Sequence, residues 1–131
     1  MDKLVFIVVD ENHNLFGAFS KYEFEKYDEY SSLSTDNFMF SLNSNGRHNI
    51  HKVEYPTINA GIRVKIFPNN KDNLMLEFDY VHFGIQSRCL ISSFESKKDS
   101  HFINGFNKYC DYTGLKDNNF KIDRIIVLKL Q

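Results

Sequence analysis

Hydrophobic positions in this chain recur mostly at every second residue, the period of a β-strand whose side chains alternate between two faces. Leu4 to Val9 is a continuous apolar run, long enough for a strand buried on both faces and too short for a helix. The polar residues Asp10-Glu11-Asn12-His13-Asn14 follow, then Leu15-Phe16-Gly17-Ala18-Phe19, and together these predict a hairpin. Gly17 has no side chain to pack, which in a strand marks a bulge or the close approach of another backbone. Phe38-Met39-Phe40-Ser41-Leu42 alternates with Phe38, Phe40 and Leu42 on one face. Asn43-Ser44-Asn45-Gly46 has the chemistry of a tight turn, because Asn-Gly tolerates positive φ at both central positions. A weaker strand, His48 to Tyr55, is expected to return from it and stop before Pro56. Ile62, Val64 and Ile66 read as inward positions of an amphipathic strand, with Arg63 and Lys65 toward solvent. After a turn from Pro68 to Asn73, Leu74, Leu76 and Phe78 resume the alternation against Met75, Glu77 and Asp79. A further short strand is predicted around Leu90 to Phe94.

Three stretches depart from this pattern. Lys21 to Asp36 has no clean period and reads as a polar surface excursion. Phe102, Ile103, Phe106, Tyr109 and Cys110 fall at helical spacing behind a cap at Asp99 or Ser100, and Gly114 supplies a stop; Gly105 inside this helix costs about 1 kcal/mol relative to Ala. Phe120 to Leu130 is apolar on both parities and predicts one long, central strand. The sum is a mainly β fold: an antiparallel two-sheet β-sandwich with one or two short flanking helices.

Composition narrows the picture. The 131 residues fit a single domain spanning 1–131. With 42% hydrophobic residues the chain has ample apolar surface for a core, which excludes wholesale disorder. Sixteen Lys and Arg against 17 Asp and Glu leave a net charge of −1, so no global field draws it to polyanions. No apolar run approaches the roughly 20 residues of a membrane helix, and the apolar stretch near the start is too short for a secretory signal. These features predict a soluble protein of the cytoplasm, the nucleus or both, without membrane insertion. Its two cysteines make no disulfide framework.

Candidate chemistry is sparse. No phosphate loop, dinucleotide fingerprint or nucleophile elbow is present, so no cofactor, small-molecule substrate or catalytic residue is expected. Ser87 in Gly84-Ile85-Gln86-Ser87-Arg88 lacks the second glycine of an elbow. His48 and His51 form a His-x-x-His spacing that would present a metal site on a helix. On a strand that spacing sends the rings to opposite faces, as two polar residues beside a turn. Cys89 follows Arg88, whose charge would lower a thiol pKa if the two side chains met, but adjacent strand residues point apart and a buried inert thiol is the plainer reading. The basic residues Arg47, His48, His51, Lys52, Arg63, Lys65, Lys97 and Lys98 are either solvated surface or a local contact patch for nucleic acid or protein. Lys21-Tyr22-Glu23-Phe24-Glu25-Lys26-Tyr27 is another candidate protein contact, or an edge segment packing its Phe.

In order along the chain, Val5 to Val9, Phe16-Gly17-Ala18-Phe19, Phe38-Met39-Phe40-Ser41-Leu42, the set Gly84, Cys89 and Phe94, and Phe120 to Val127 resemble the TLDc domain of oxidation-resistance proteins, as a divergent member. The family's helical segment ahead of the first strand has no counterpart here. Its glycine run is reduced to Gly61, its closing-strand Trp is replaced by Leu128, and Glu95 to Asn118 reads as an insertion. The resemblance implies a β-sandwich with flanking helices, a role in protection against oxidative stress and no agreed catalytic residues. The expected function is therefore a non-enzymatic, TLDc-like interaction domain with a protein partner. Two alternatives stay open: a DNA-binding transcription regulator of oxidative-stress genes, and a thiol redox sensor through Cys89, the cysteine at the family's position.

Overall fold

Strands that are apolar on one face have to bury that face against another layer, and this chain does so by pairing two sheets. A computed structural model describes residues 2–22, 36–43, 51–52, 61–67, 74–82, 85–92, 95–98 and 119–131. The strands are β1 (Asp2–Asp10), β2 (Leu15–Tyr22), β3 (Phe38–Asn43), β4 (His51–Lys52), β5 (Gly61–Ile66), β6 (Leu74–His82), β7 (Ile85–Ser92), β8 (Ser96–Lys98), β9 (Asn119–Phe120) and β10 (Ile122–Leu130). The first sheet has the order β10-β1-β2-β3-β4 and the second β5-β6-β7-β8-β9, with every pairing antiparallel. The protein is thus a mainly β, two-sheet sandwich, as the alternation predicts. The predicted helix at 102–110 and the Asn-Gly turn lie outside the described residues.

The core is built from one parity of each strand. Leu4, Phe6 and Val8 of β1, Phe16 and Ala18 of β2, and Met39 of β3 meet Ile62, Val64, Leu76, Phe78, Cys89, Ile91 and Phe120 from the other sheet. Three edge-to-face ring contacts tie the layers: Phe6 to Phe78 at 6.4 Å between centroids, Phe16 to Phe78 at 6.4 Å and Phe16 to Phe120 at 6.0 Å. Such contacts add about 0.5–1.5 kcal/mol each beyond the area they bury.

The outward face of the first sheet is apolar as well. Val5, Ile7, Leu15, Phe19, Phe38 and Leu42 are half-buried there, and Phe19 stacks on Phe38 at 5.2 Å. Gly17 lies between them, with the Phe40 ring over it. A Cβ at this position would overlap the Phe6 carbonyl oxygen and stand 3.0 Å from Phe40 Cζ. This is the close backbone approach that a strand glycine signals.

Polar groups set the corners. Asp10 is buried at the end of β1, and its Oδ1 accepts hydrogen bonds from the backbone N–H groups of Asn12 and Asn14, both at 2.8 Å. Its Oδ2 accepts from Asn14 Nδ2 at 2.8 Å. This Asx arrangement lets His13 take a left-handed φ of 65° without a glycine. Asn37, also buried, joins the sheets: its Oδ1 accepts from the Lys21 backbone N–H at 3.2 Å and its Nδ2 donates to the Ile62 carbonyl at 3.1 Å.

The structure corrects the sequence reading in several places. Phe120 to Leu130 is not one central strand. Phe120 ends β9 in the second sheet, Ile122 begins β10 in the first, and β10 is a margin of its sheet. Phe120 and Ile122 share a parity, so the alternation runs unbroken through a switch between sheets that nothing in the pattern marks. In β3 Phe38 and Phe40 share one face as the alternation predicts; that face is the outward one, where Phe38 stacks on Phe19, and the core residue is Met39. β7 begins at Ile85, before the predicted Leu90, since its polar half pairs with the far end of β6. Lys97 and Lys98 belong to a short strand within the segment read as an insertion. Of the predicted strand His48 to Tyr55, β4 supplies His51 and Lys52.

Replacing Asn37 by Ala removes both bonds while the groups stay shielded from water. A loss of about 2 kcal/mol or more is expected, measured as a lower midpoint in urea with an unchanged slope.

Candidate functional site

The outward face of the second sheet concentrates charge. Antiparallel pairing sets Arg63 of β5 opposite Asp79 of β6, and Lys65 opposite Glu77. On the other side of β6, Asp79 is opposite Arg88 and Glu77 opposite Leu90 of β7; Leu90 in turn faces Lys97 of β8. Partners in direct register share a face. Two carboxylates therefore sit in the middle of the sheet, with cations on the strands around them.

Arg63 Nε donates to Asp79 Oδ2 at 2.6 Å, a short charge-assisted bond to a fully buried carboxylate. Arg88 Nε lies 3.5 Å from Glu77 Oε1, where the Glu77 side chain is 4% exposed and that of Arg88 50%. Lys65 Nζ is 4.9 Å from the centroid of the Phe67 ring, within cation–π range. Lys97 is exposed. Burial of both acids in a sheet expected to be polar on this face is the main departure from the predicted amphipathic pattern. It makes the ladder a structural network: a one-residue slip of β5 against β6 would break the Arg63–Asp79 pair, and a slip of β7 against β6 the Arg88–Glu77 pair.

Among the sequence-derived contact residues, Arg63, Lys65 and Lys97 fall on this one face by register. Lys98 is opposite Cys89 and so has the other parity. His51 and Lys52 lie on β4, at the far margin of the first sheet. Arg47 and His48 lie outside the described residues, as do residues 23–27 of the second candidate contact segment and Cys110. The pairing of Arg63 with Asp79 and of Arg88 with Glu77 was not read from the sequence, although a signal for it exists. Two basic residues two apart on one strand, followed by two acids two apart on the next, are what a charge-matched hairpin requires.

Ser87 sits in β7 opposite Tyr80, in an extended ladder and not on the strand-to-helix turn of an elbow. Cys89 has no exposed surface and lies on the core side of β7 opposite Phe78. An apolar, closed environment of this kind keeps a thiol out of reach of oxidants. Among the described residues, no three His, Cys, Asp or Glu side chains come together as a metal site, and no helix is long and apolar enough to cross a membrane.

With models of known protein families and with curated proteins, the chain gives no match.

Two outcomes are expected from this geometry. Arg63→Met, which deprives a buried carboxylate of its shortest ionic bond, destabilises by about 2–4 kcal/mol, whereas Lys97→Met stays within about 0.5 kcal/mol; urea unfolding of both variants compares them. Cys89 is expected to resist a thiol reagent in the native protein and to react once urea opens the sandwich, as peptide mapping by mass spectrometry would show.

Proposed function

We propose that this chain is a non-enzymatic, TLDc-like interaction domain acting in an oxidative-stress response through a protein partner. One observation carries the reading. The segments that bear the resemblance are separated in sequence, yet most of them occupy β1, β2, β3 and β10, four neighbouring strands of one sheet. Within that sheet Gly17 and Phe40, one from each of two such segments, are in contact distance. The remaining family-position cysteine, Cys89, faces the same core. A shared sheet of matched residues is what common descent of a fold would leave. On the outward side of this sheet Leu128 and Leu130 of β10 stand open, which gives a protein partner an apolar surface to cover.

A second reading, a DNA-binding regulator of oxidative-stress genes, draws on the common face of Arg63, Lys65, Arg88 and Lys97. It ranks below the first because Arg63 and Arg88 are engaged with buried acids, which leaves few charges for phosphates.

Cells lacking the chain are expected to survive peroxide less well, with survival restored by the intact chain. The purified protein is expected neither to consume peroxide nor to hydrolyse simple esters. Unchanged survival, or sustained turnover, removes the leading reading. A gel-shift series across salt decides the second: binding that weakens with salt and prefers one sequence would move it to first place.

A further inference from the structure

Strand β10 forms one margin of the first sheet. It is paired with β1 along one side, and on the other no strand lies against it among the described residues. Its apolar side chains stand open: Val127 is 50% exposed, Leu128 47% and Leu130 43%. Val127 and Leu128 have opposite parities, so the strand is apolar on both faces of an uncovered edge. It contains neither Pro nor Gly. The usual protections of an edge are short length, proline, bulges or inward charges. Here a bulge at Asp123 guards one end and Lys129, opposite the core residue Leu4 and so on the inward side, the other, which leaves 124–128 between them without either. Such a strand is a template for another strand.

From this edge we propose that the protein forms a homodimer in which β10 pairs antiparallel with β10 of a second copy, about a two-fold axis at Ile126. Side chains of the two copies must fall on matching faces, so the axis has to pass through a residue and not between two. An axis at Ile125 runs the pairing into the bulge, since Asp123 would then oppose Val127, and leaves a regular ladder of only 124–126. With the axis at Val127, Lys129 would oppose Ile125 and Asp123 would be carried to the chain position of Gln131. The register centred on Ile126 places Ile126 against itself, Ile125 against Val127 and Arg124 against Leu128. It also brings Asp123 and Lys129 together at each end. The bulge stops the regular ladder at Asp123, so these two charges flank a five-residue ladder at 124–128 and are not part of it. Both side chains are largely exposed, 62% for Asp123 and 64% for Lys129. Within one copy Asp123 lies 3.9 Å from Arg124 Nε and Lys129 3.0 Å from Asp2 Oδ1, exposed pairs weak enough to be exchanged for or shared with the contact across the seam. Apolar exposure supplies the attraction, and charge selects the register. The joined sheets would extend the apolar outward face through Ile126 of both copies. This inference does not rest on the TLDc reading and stands or falls separately.

Sedimentation velocity of the full chain over a concentration series tests the association, and cysteine cross-linking tests the register. In an antiparallel pair the Cα atoms of directly opposed residues are about 4.5–5.5 Å apart, within the range a disulfide spans. Ile126→Cys is therefore expected to form a covalent dimer under mild oxidation, beyond any seen with the parent chain, and Ile125→Cys and Val127→Cys are not. Asp123→Lys, which turns two attractions into two repulsions on an exposed position, should weaken dimerisation roughly tenfold, and adding Lys129→Asp should restore it. A chain that stays monomeric throughout, a cross-link through Val127→Cys or Ile125→Cys in place of Ile126→Cys, or a dimer indifferent to the charge exchange would each overturn the proposal.

Discussion

The structure depends on the interlocking of four phenylalanine rings between two sheets. Phe6 and Phe16, on the adjacent strands β1 and β2 of the first sheet, both meet Phe78 edge to face, and Phe16 also meets Phe120. Those contacts join β1 and β2 to the centre and the margin of the opposite sheet. Everything else is arranged around them. The aliphatic residues fill the gaps beside the rings, and Cys89 behaves as one more small apolar side chain. The corners at Asp10 and Asn37 settle the polar groups that turning the chain leaves over. A buried backbone group without a partner would cost as much as a ring contact contributes, so the corners matter as much as the centre.

The two outward faces differ in kind. The face of the first sheet is aromatic and aliphatic, and its β10 margin is open. The face of the second is an ion-pair ladder whose acids are buried and whose cations reach outward. Apolar area favours contact with a protein surface, while a ladder of satisfied charges favours register over recognition. This division is why a protein partner leads the functional reading, and why the self-pairing of β10 is the contact with a definite geometry.

Most of the fold was legible in the chain because a buried face and an alternating pattern are the same fact seen at two levels. Ile62, Val64, Leu76 and Phe78 are core residues as their parity predicts, and the Asp10 turn is where the polar cluster places it. The reading failed where two different environments produce one pattern. Phe120 and Ile122 share a parity across a change of sheet. Apolar residues on both parities of β10 suggest a strand buried on both faces, whereas that strand is a half-open margin. The common face of Phe38 and Phe40 was legible, but the alternation left open that it would be the outward one.

The candidate site was less legible, since Arg63 and Lys65 acquire their meaning from Asp79 and Glu77 on another strand, and Lys97 from a short strand that the pattern did not suggest. By itself, the sequence determined the strand period, the turn chemistry and which residues need burial, because these depend on neighbours along the chain. Tertiary structure alone decided which strand stands at a margin, which cation meets which acid, and which of two apolar faces becomes the core. Those outcomes depend on pairing across the chain, and an alternation of period two is silent about its partners.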